Sequence, residues 1–306
     1  MKVYLVASSS LHIKVLLEQK CENILISYYC FGCTKDKRSY HDILCGDEKK
    51  QELDKGTKSL LKQFKNVMVD SGAFSFMSGK ETKTRKKDVD KFVEGYGRWL
   101  RNNKGYYDSF EEMDLDFLFP INVIEGWREF LEKCAGKKCL PVWHINRGLD
   151  YWEMMVRDYD YIAIGGLVSG EITEMEKYAS FLIDIAHKNG CKVHGLGYTK
   201  TKLLKYIPWD SVDSLSWARG GISGRFQYFN GENILSPELN EFNKNSRINY
   251  IDFYNINAQS WCAYAKYIED YWNRQKGGSL VQKGGGDAYQ KKTGSPTPAL
   301  KILKKE

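Results

Sequence analysis

The stretch YIAIGGLVSGEITEMEKYASFLIDIAHKNGCKVHG, residues 161–195, reads as a strand, a helix and a second strand. Tyr161–Ile164 is a short apolar run that meets Gly165 and Gly166. Residues 171–189 carry good helix formers at helical spacing, and Lys192–Gly195 is again a short run. Such a unit is the building block of a parallel sheet with crossover helices. Working outward, the same alternation places strands at residues 2–7, 23–29, 66–70, 115–119, 139–144 and 211–215. Helical spacing recurs at residues 87–102, 124–134, 151–157 and 201–206. Eight strands with helices between them predict an α/β fold, a (β/α)8 TIM-like barrel. A doubly wound open sheet is the alternative that the same alternation allows.

The chain has 306 residues, 42% of them hydrophobic and 14% aromatic, which is enough to bury a full core and excludes a disordered or disulfide-stapled scaffold. Residues 1–275 are expected to form a single catalytic barrel domain, ending in an aromatic docked helix over residues 254–275. Residues 276–306 hold GG, GGG and two prolines with little periodicity, the composition of a flexible basic tail. That tail has seven lysines against two acids, which is +5 of the chain's +7 and leaves the barrel nearly neutral. The opening MKVYLVASSS has too short an apolar run for a signal peptide or a membrane span, so a cytoplasmic protein with no membrane partner is expected.

Eight scattered cysteines fit reduced thiols better than a disulfide framework. Cys21, Cys30, Cys33 and Cys45, with His41 nearby, contain one C-x2-C and could wrap a tetrahedral zinc. A structural zinc usually shows two close ligand pairs, so buried or loop thiols are the preferred reading and no cofactor is expected.

In a parallel α/β fold, chemistry gathers where strands end at their carboxyl edge. NVMVD, residues 66–70, runs straight into Ser71-Gly72-Ala73-Phe74, placing Asp70 at a strand tip ahead of a glycine turn. A turn or cap role is the competing reading for that aspartate. In Met113-Asp114-Leu115-Asp116, strand alternation sets both aspartates on one face and turns Asp116 toward a pocket. His144 closes another run, with a structural histidine as its ordinary reading. Gly165, Gly166 and Leu167 let a ligand approach the backbone closely. His194 and Gly195 end the next strand, and Asp213 lies in the last, followed by Arg219. Two aspartates converging on one mouth suit glycosidic chemistry, one attacking the anomeric carbon and one handling protons. Other reaction classes also use two carboxylates.

Taken in order, these segments resemble the tRNA-guanine transglycosylase superfamily, and most of all its phage DpdA-type 7-deazaguanine DNA transglycosylases. AIGGLVSGE, residues 163–171, is very close to the family's A-I-G-G-L-x-x-G-E. DSGAF at 70–74 is similar to D-S-G-G-F, MDLD at 113–116 to M-x-F-D, and HGLG at 194–197 to M-G-V-G. Val212 and Asp213 with Arg219 resemble F-D-C-V-x-P-T-R. The resemblance covers about residues 66–225.

It implies a barrel of transglycosylase type in which Asp213 is the nucleophile and Asp70 the general acid/base. Ser71, Gly72, Phe74, Asp116, Gly165, Gly166, Leu167, Gly195 and Arg219 would then bind substrate. His144 and His194 stand where the family has Gln and Met and would also face the base. The family's zinc ligands follow the nucleophile, and here only Cys262 lies in that region, so the usual zinc subdomain is expected to be absent. The implied reaction is exchange of guanine for a 7-deazaguanine base through a covalent aspartyl-sugar intermediate.

The short, zinc-less form is more similar to the DNA-modifying branch, so DNA is the expected partner and tRNA the alternative. The location would be the host cytoplasm if the chain is phage-encoded, and a homodimer is possible. Lys80, Lys83, Arg85, Lys86 and Lys87 form a basic run that could hold phosphates, although such a run is commonly a solvated helix start. A non-catalytic transglycosylase-like nucleic-acid-binding subunit is the reading from another class. Both aspartates being present argues against it.

Overall fold

The computed structural model describes residues 1–32, 51–76, 85–167, 172–198, 200–223, 225–236 and 250–277. These divide into two compact units, Tyr4–Val142 and Met1–Val3 together with the chain from Trp143 onward.

The first unit opens within β1 (Lys2–Ala7), at Tyr4, and goes on with α1 (Ser10–Glu18), β2 (Asn23–Ser27) and the short α2 (Tyr28–Phe31). It continues with α3 (Lys55–Leu61), β3 (Asn66–Asp70), a 3-10 turn at Ala73–Phe76, α4 (Lys86–Asn102), β4 (Ser109–Phe110) and α5 (Ile121–Ala135). β5 (Val142–Trp143) stands at its end. β1, β2, β3 and β4 pair in parallel, in registers that set Ser27 beside Asp70 and Val69 beside Phe110. A parallel bridge from Glu111 to Leu140 continues the pairing past β4. All five residues of β2 are buried, as expected of a parallel strand covered on both faces.

Local chemistry sets the helix ends. Ser9 caps α1 by accepting the His12 N–H at 3.2 Å, and Asp54 caps α3 by accepting that of Thr57 at 2.9 Å. α4 buries Val89, Phe92, Val93, Tyr96 and Leu100 at i, i+3, i+4 spacing. Its Phe92 and Tyr96 rings each lie 4.9 Å from the Tyr28 ring, forming an aromatic core behind the sheet.

The second unit holds α6 (Gly148–Asp158), β6 (Tyr161–Ile164), α7 (Ile172–Lys188), β7 (Lys192–Gly195) and a 3-10 turn at Thr201–Leu203. β8 (Ser211–Ser214) and α8 (Ser216–Ser223) follow, then the antiparallel pair β9 (Tyr228–Phe229) and β10 (Ile234–Leu235), and α9 (Tyr250–Gly277). β6, β7 and β8 pair in parallel. α9 docks through its polar tips as well as its rings: Asn257 Nδ2 donates to Trp217 O at 3.1 Å, Tyr264 Oη to Thr201 O at 2.8 Å and Trp272 Nε1 to Leu204 O at 2.9 Å. The last two satisfy turn carbonyls that a purely apolar helix face would leave bare.

The sheet order is β4-β3-β2-β1-β8-β7-β6-β5. Eight parallel strands with intervening helices place the chain in the α/β, TIM-like class expected from the sequence. The strand expected at residues 115–119 does not form. The extended segment is β4, which begins six residues earlier, and the Leu118 and Phe119 N–H groups bond to Leu115 O at 2.9 and 3.0 Å, closing a turn ahead of Pro120 and α5. Residues 278–306, the bulk of the expected tail, lie outside the described residues.

Candidate functional site

In the second unit, register brings four polar side chains to one face. His194 on β7 pairs with Ser211 on β8, and Asp213 is two residues further along β8, hence on the same side. Ala163 on β6 pairs with His194, so Tyr161, two residues earlier, shares that side as well.

The side chains meet. His194 is wholly buried, with 0% of its surface exposed. Its Nδ1 lies 2.5 Å from Ser211 Oγ and its Nε2 3.3 Å from Asp213 Oδ1. Tyr161 Oη is in turn hydrogen-bonded to Ser211 Oγ, and its ring stands edge-on to the imidazole at 6.4 Å between centroids. The backbone N–H of Gly197 donates to Asp213 Oδ1 at 2.5 Å. Both partners of Asp213 therefore use Oδ1. Among the described residues Oδ2 has no hydrogen bond, and the side chain keeps 11% of its surface open. The result is a carboxylate clamped at one oxygen and presented at the other.

The glycines around it have separate reasons. Gly197 takes a left-handed φ of +63°, which turns its N–H toward Asp213. A Cβ on Gly195 would stand 3.2 Å from the buried Trp209 ring, so that glycine makes room for an indole. Gly165 is buried and donates to Trp143 O at 2.9 Å, Gly166 has φ +75°, and Leu167 is buried. His144 is half-buried just ahead of the 3-10 turn Ile145–Arg147, and Arg219 is exposed on α8.

The first unit carries the other predicted residues. Asp70 ends β3 and accepts the Gly72 N–H at 2.9 Å, an Asx-turn, while Ser71 Oγ accepts that of Ala73 at 3.2 Å. Gly72 has φ +85°, and a Cβ there would lie 2.4 Å from Tyr29 Cβ. The turn thus requires glycine on two counts. Burial, then the Glu111 and Asp70 carboxylates, holds the Tyr96 phenol well above its ordinary pKa. Phe74 is exposed beyond the turn. Asp116 sits in the turn after β4 instead of on a strand, so the argument from alternation does not apply to it. Phe117 and Leu118 beside it are exposed.

In the basic run, Lys80 and Lys83 lie outside the described residues. Arg85 pairs with Asp88 at 2.7 Å and Lys86 with Asp90 at 2.9 Å, while Lys87 is exposed at the start of α4. Of the thiols considered for zinc, Cys21 is buried and donates to Asn23 O at 3.3 Å, and Cys30 is half-buried. Cys33, Cys45 and His41 lie outside the described residues, and no group of three metal ligands occurs among the described ones.

Two features escaped the sequence reading. Ser211 and Tyr161 were counted only as strand residues, although the i, i+2 spacing of Ser211 and Asp213 already sets both on one face. In the first unit, Glu112 and Arg128 form a buried ion pair at 2.6 Å, with Glu112 also accepting the Val142 N–H at 2.6 Å.

No described helix is long and apolar enough to cross a membrane. No protein-family model and no curated protein matches the chain. Among solved structures it is similar to a provisionally assigned fructose-1,6-biphosphate aldolase from Coccidioides immitis, at 10% identity and TM-score 0.48, with 89% of each chain covered. It is also similar to a chain from Aquifex aeolicus VF5, at 13% identity and TM-score 0.46, covering 86% of this chain and 92% of that one. Xylanase 10B from Thermotoga maritima matches at 10% identity and TM-score 0.44, covering 88% of this chain and 96% of the xylanase.

Proposed function

We propose that the protein is a base-exchange transglycosylase that replaces guanine in DNA with a 7-deazaguanine derivative, using Asp213 as the nucleophile. The observation that supports this reading best is the asymmetry of Asp213: Oδ1 is held by Gly197 and His194, and Oδ2 is left to react. A carboxylate in that state is oriented without being consumed by its own partners.

In the proposed reaction Asp213 Oδ2 attacks C1′ of a target guanosine and the C–N glycosidic bond breaks. Guanine leaves with a proton supplied by a general acid. The incoming 7-deazaguanine gives up its ring N–H proton to the conjugate base as its nitrogen attacks C1′, and Asp213 is released. Asp70 in the acid/base role follows from the family resemblance. A paired base inside a duplex is out of reach, so the target nucleotide must be extruded or unpaired.

The test incubates the full chain with labelled 7-deazaguanine and either guanine-containing DNA or tRNA. Label in DNA is the expected result, abolished by Asp213→Asn. Label in tRNA alone would replace DNA by tRNA in the reading. No label in either polymer, and no covalent adduct on the peptide containing Asp213, would leave a nucleic-acid-binding subunit as the better account.

A further inference from the structure

We propose that His194 is a positioning residue for Asp213, held as its Nε2–H tautomer between that carboxylate and a hydroxyl relay from Ser211 and Tyr161. The proposal rests on the reading of Asp213 as the nucleophile.

The direction of the relay follows from donor and acceptor counting. An ionised carboxylate only accepts, so His194 Nε2 must donate to Asp213 Oδ1. On a neutral imidazole Nδ1 is then an acceptor, and the group facing it at 2.5 Å is the Ser211 hydroxyl, which must donate. The Ser211 oxygen keeps lone pairs, and Tyr161 Oη–H is placed to donate to one of them. Each proton in the chain Tyr161, Ser211, His194, Asp213 is used once, and all point toward the carboxylate. A ring carrying both protons would reverse Ser211 and Tyr161, turning the phenol outward from the chain.

Burial gives the arrangement its stiffness. His194 is 0% exposed and Ser211 1%, so neither ring nitrogen reaches bulk solvent. Rotating the ring or moving its proton to Nδ1 would break two bonds inside the fold. The imidazole and the Gly197 N–H therefore hold Oδ1 between a rigid side chain and a rigid backbone, which fixes the direction in which Oδ2 faces.

Two measurements test this on the full-length protein. Long-range proton–nitrogen spectra of the labelled imidazoles, with His194 assigned by its loss in His194→Gln, should show Nε2 protonated and Nδ1 bare. Ser211→Ala leaves the carboxylate's demand for Nε2–H in place and should move only the Nδ1 resonance, as that nitrogen loses its hydrogen bond. A wild-type ring protonated only on Nδ1, or on both nitrogens, would overturn the proposal. In base exchange, His194→Gln retains an N–H donor and should stay within about tenfold of wild type. His194→Leu should lower kcat about 10²-fold with little change in KM, the loss expected when a reacting group is misplaced. Equal rates for the Gln and Leu variants would also overturn it. If the wild-type protein exchanges no base at all, the transglycosylase reading fails, and the spectra still decide the relay.

Discussion

Gly197 donates its backbone N–H to Asp213 Oδ1 at 2.5 Å from a left-handed φ of +63°. A main-chain donor has no rotamers to choose among, so it fixes the carboxylate more rigidly than a side chain of the same reach. The conformation itself is the cost. Gly197→Ala should destabilise the fold by about 1 kcal/mol, the penalty for a Cβ in the left-handed region, read as a lower urea midpoint with an unchanged slope. An unchanged midpoint would mean that the turn tolerates side chains and that its N–H is less constrained than the geometry implies.

Asp70 has a turn to hold whatever else it does, because its Oδ1 accepts the Gly72 N–H. Asparagine keeps that carbonyl oxygen and loses the titratable proton, which separates the two roles. Asp70→Asn should shift stability by less than about 0.5 kcal/mol, whereas Asp70→Ala, with no acceptor for Gly72, should lose about 1 kcal/mol. Both variants should lower the exchange rate by about 10²- to 10⁴-fold, the usual worth of a general acid/base. If Asp70→Asn exchanges base at the wild-type rate, Asp70 is a turn residue and nothing more.

The parts of this fold that were readable from sequence are those governed by neighbours along the chain. β1, β3, β6 and β7 span the residues expected of them, because charged residues and turn formers stand at or beside their ends. Residues 115–119 misled because Leu, Phe, Leu and Phe close a turn whose burial is shared unequally: Leu115 goes inside while Phe117 and Leu118 stay out. At the site, Asp213 and His194 are legible because each lies at the end of an apolar run. Ser211 is not, since its role depends on the β7–β8 register, which pairs it with a histidine 17 residues away. Gly195 shows the same limit. The resemblance implies a substrate-binding role for it, and the space next to it holds Trp209.

His12 provides a pH dependence whose sign can be worked out. It is buried at the start of α1, its Nδ1 lies 3.3 Å from the Ser8 N–H, and burial lowers its pKa from the ordinary 6.5. The folded state therefore binds fewer protons than the unfolded state near that value, so stability rises with pH there. His12 costs the fold nothing above the unfolded pKa, and stability is lost as pH falls from about 6.5 toward the lower folded value. The wild-type urea midpoint should decline over that window, and His12→Gln should flatten the decline. Parallel midpoint curves for the two proteins would show that His12 is not the group responsible.

The Glu112–Arg128 pair offers the largest expected effect on stability. Glu112 is 0% exposed and Arg128 5%, their contact is 2.6 Å, and the second Glu112 oxygen accepts the Val142 N–H at 2.6 Å. One carboxylate thus joins the segment after β4, the α5 helix and the start of β5. Removing a single member takes away the counter-charge that this buried contact supplies, and breaking a buried pair typically costs about 3–5 kcal/mol. Arg128→Met and Glu112→Gln should each lower the unfolding midpoint by that order. Glu112→Leu combined with Arg128→Met removes both charges together and should recover part of the loss, because an apolar pair of similar volume avoids the desolvation of two ions. The Val142 N–H would still lack its acceptor in that double variant, so recovery should be incomplete. Strictly additive losses in the double variant would mean that the two charges do not stabilise one another, despite their 2.6 Å contact.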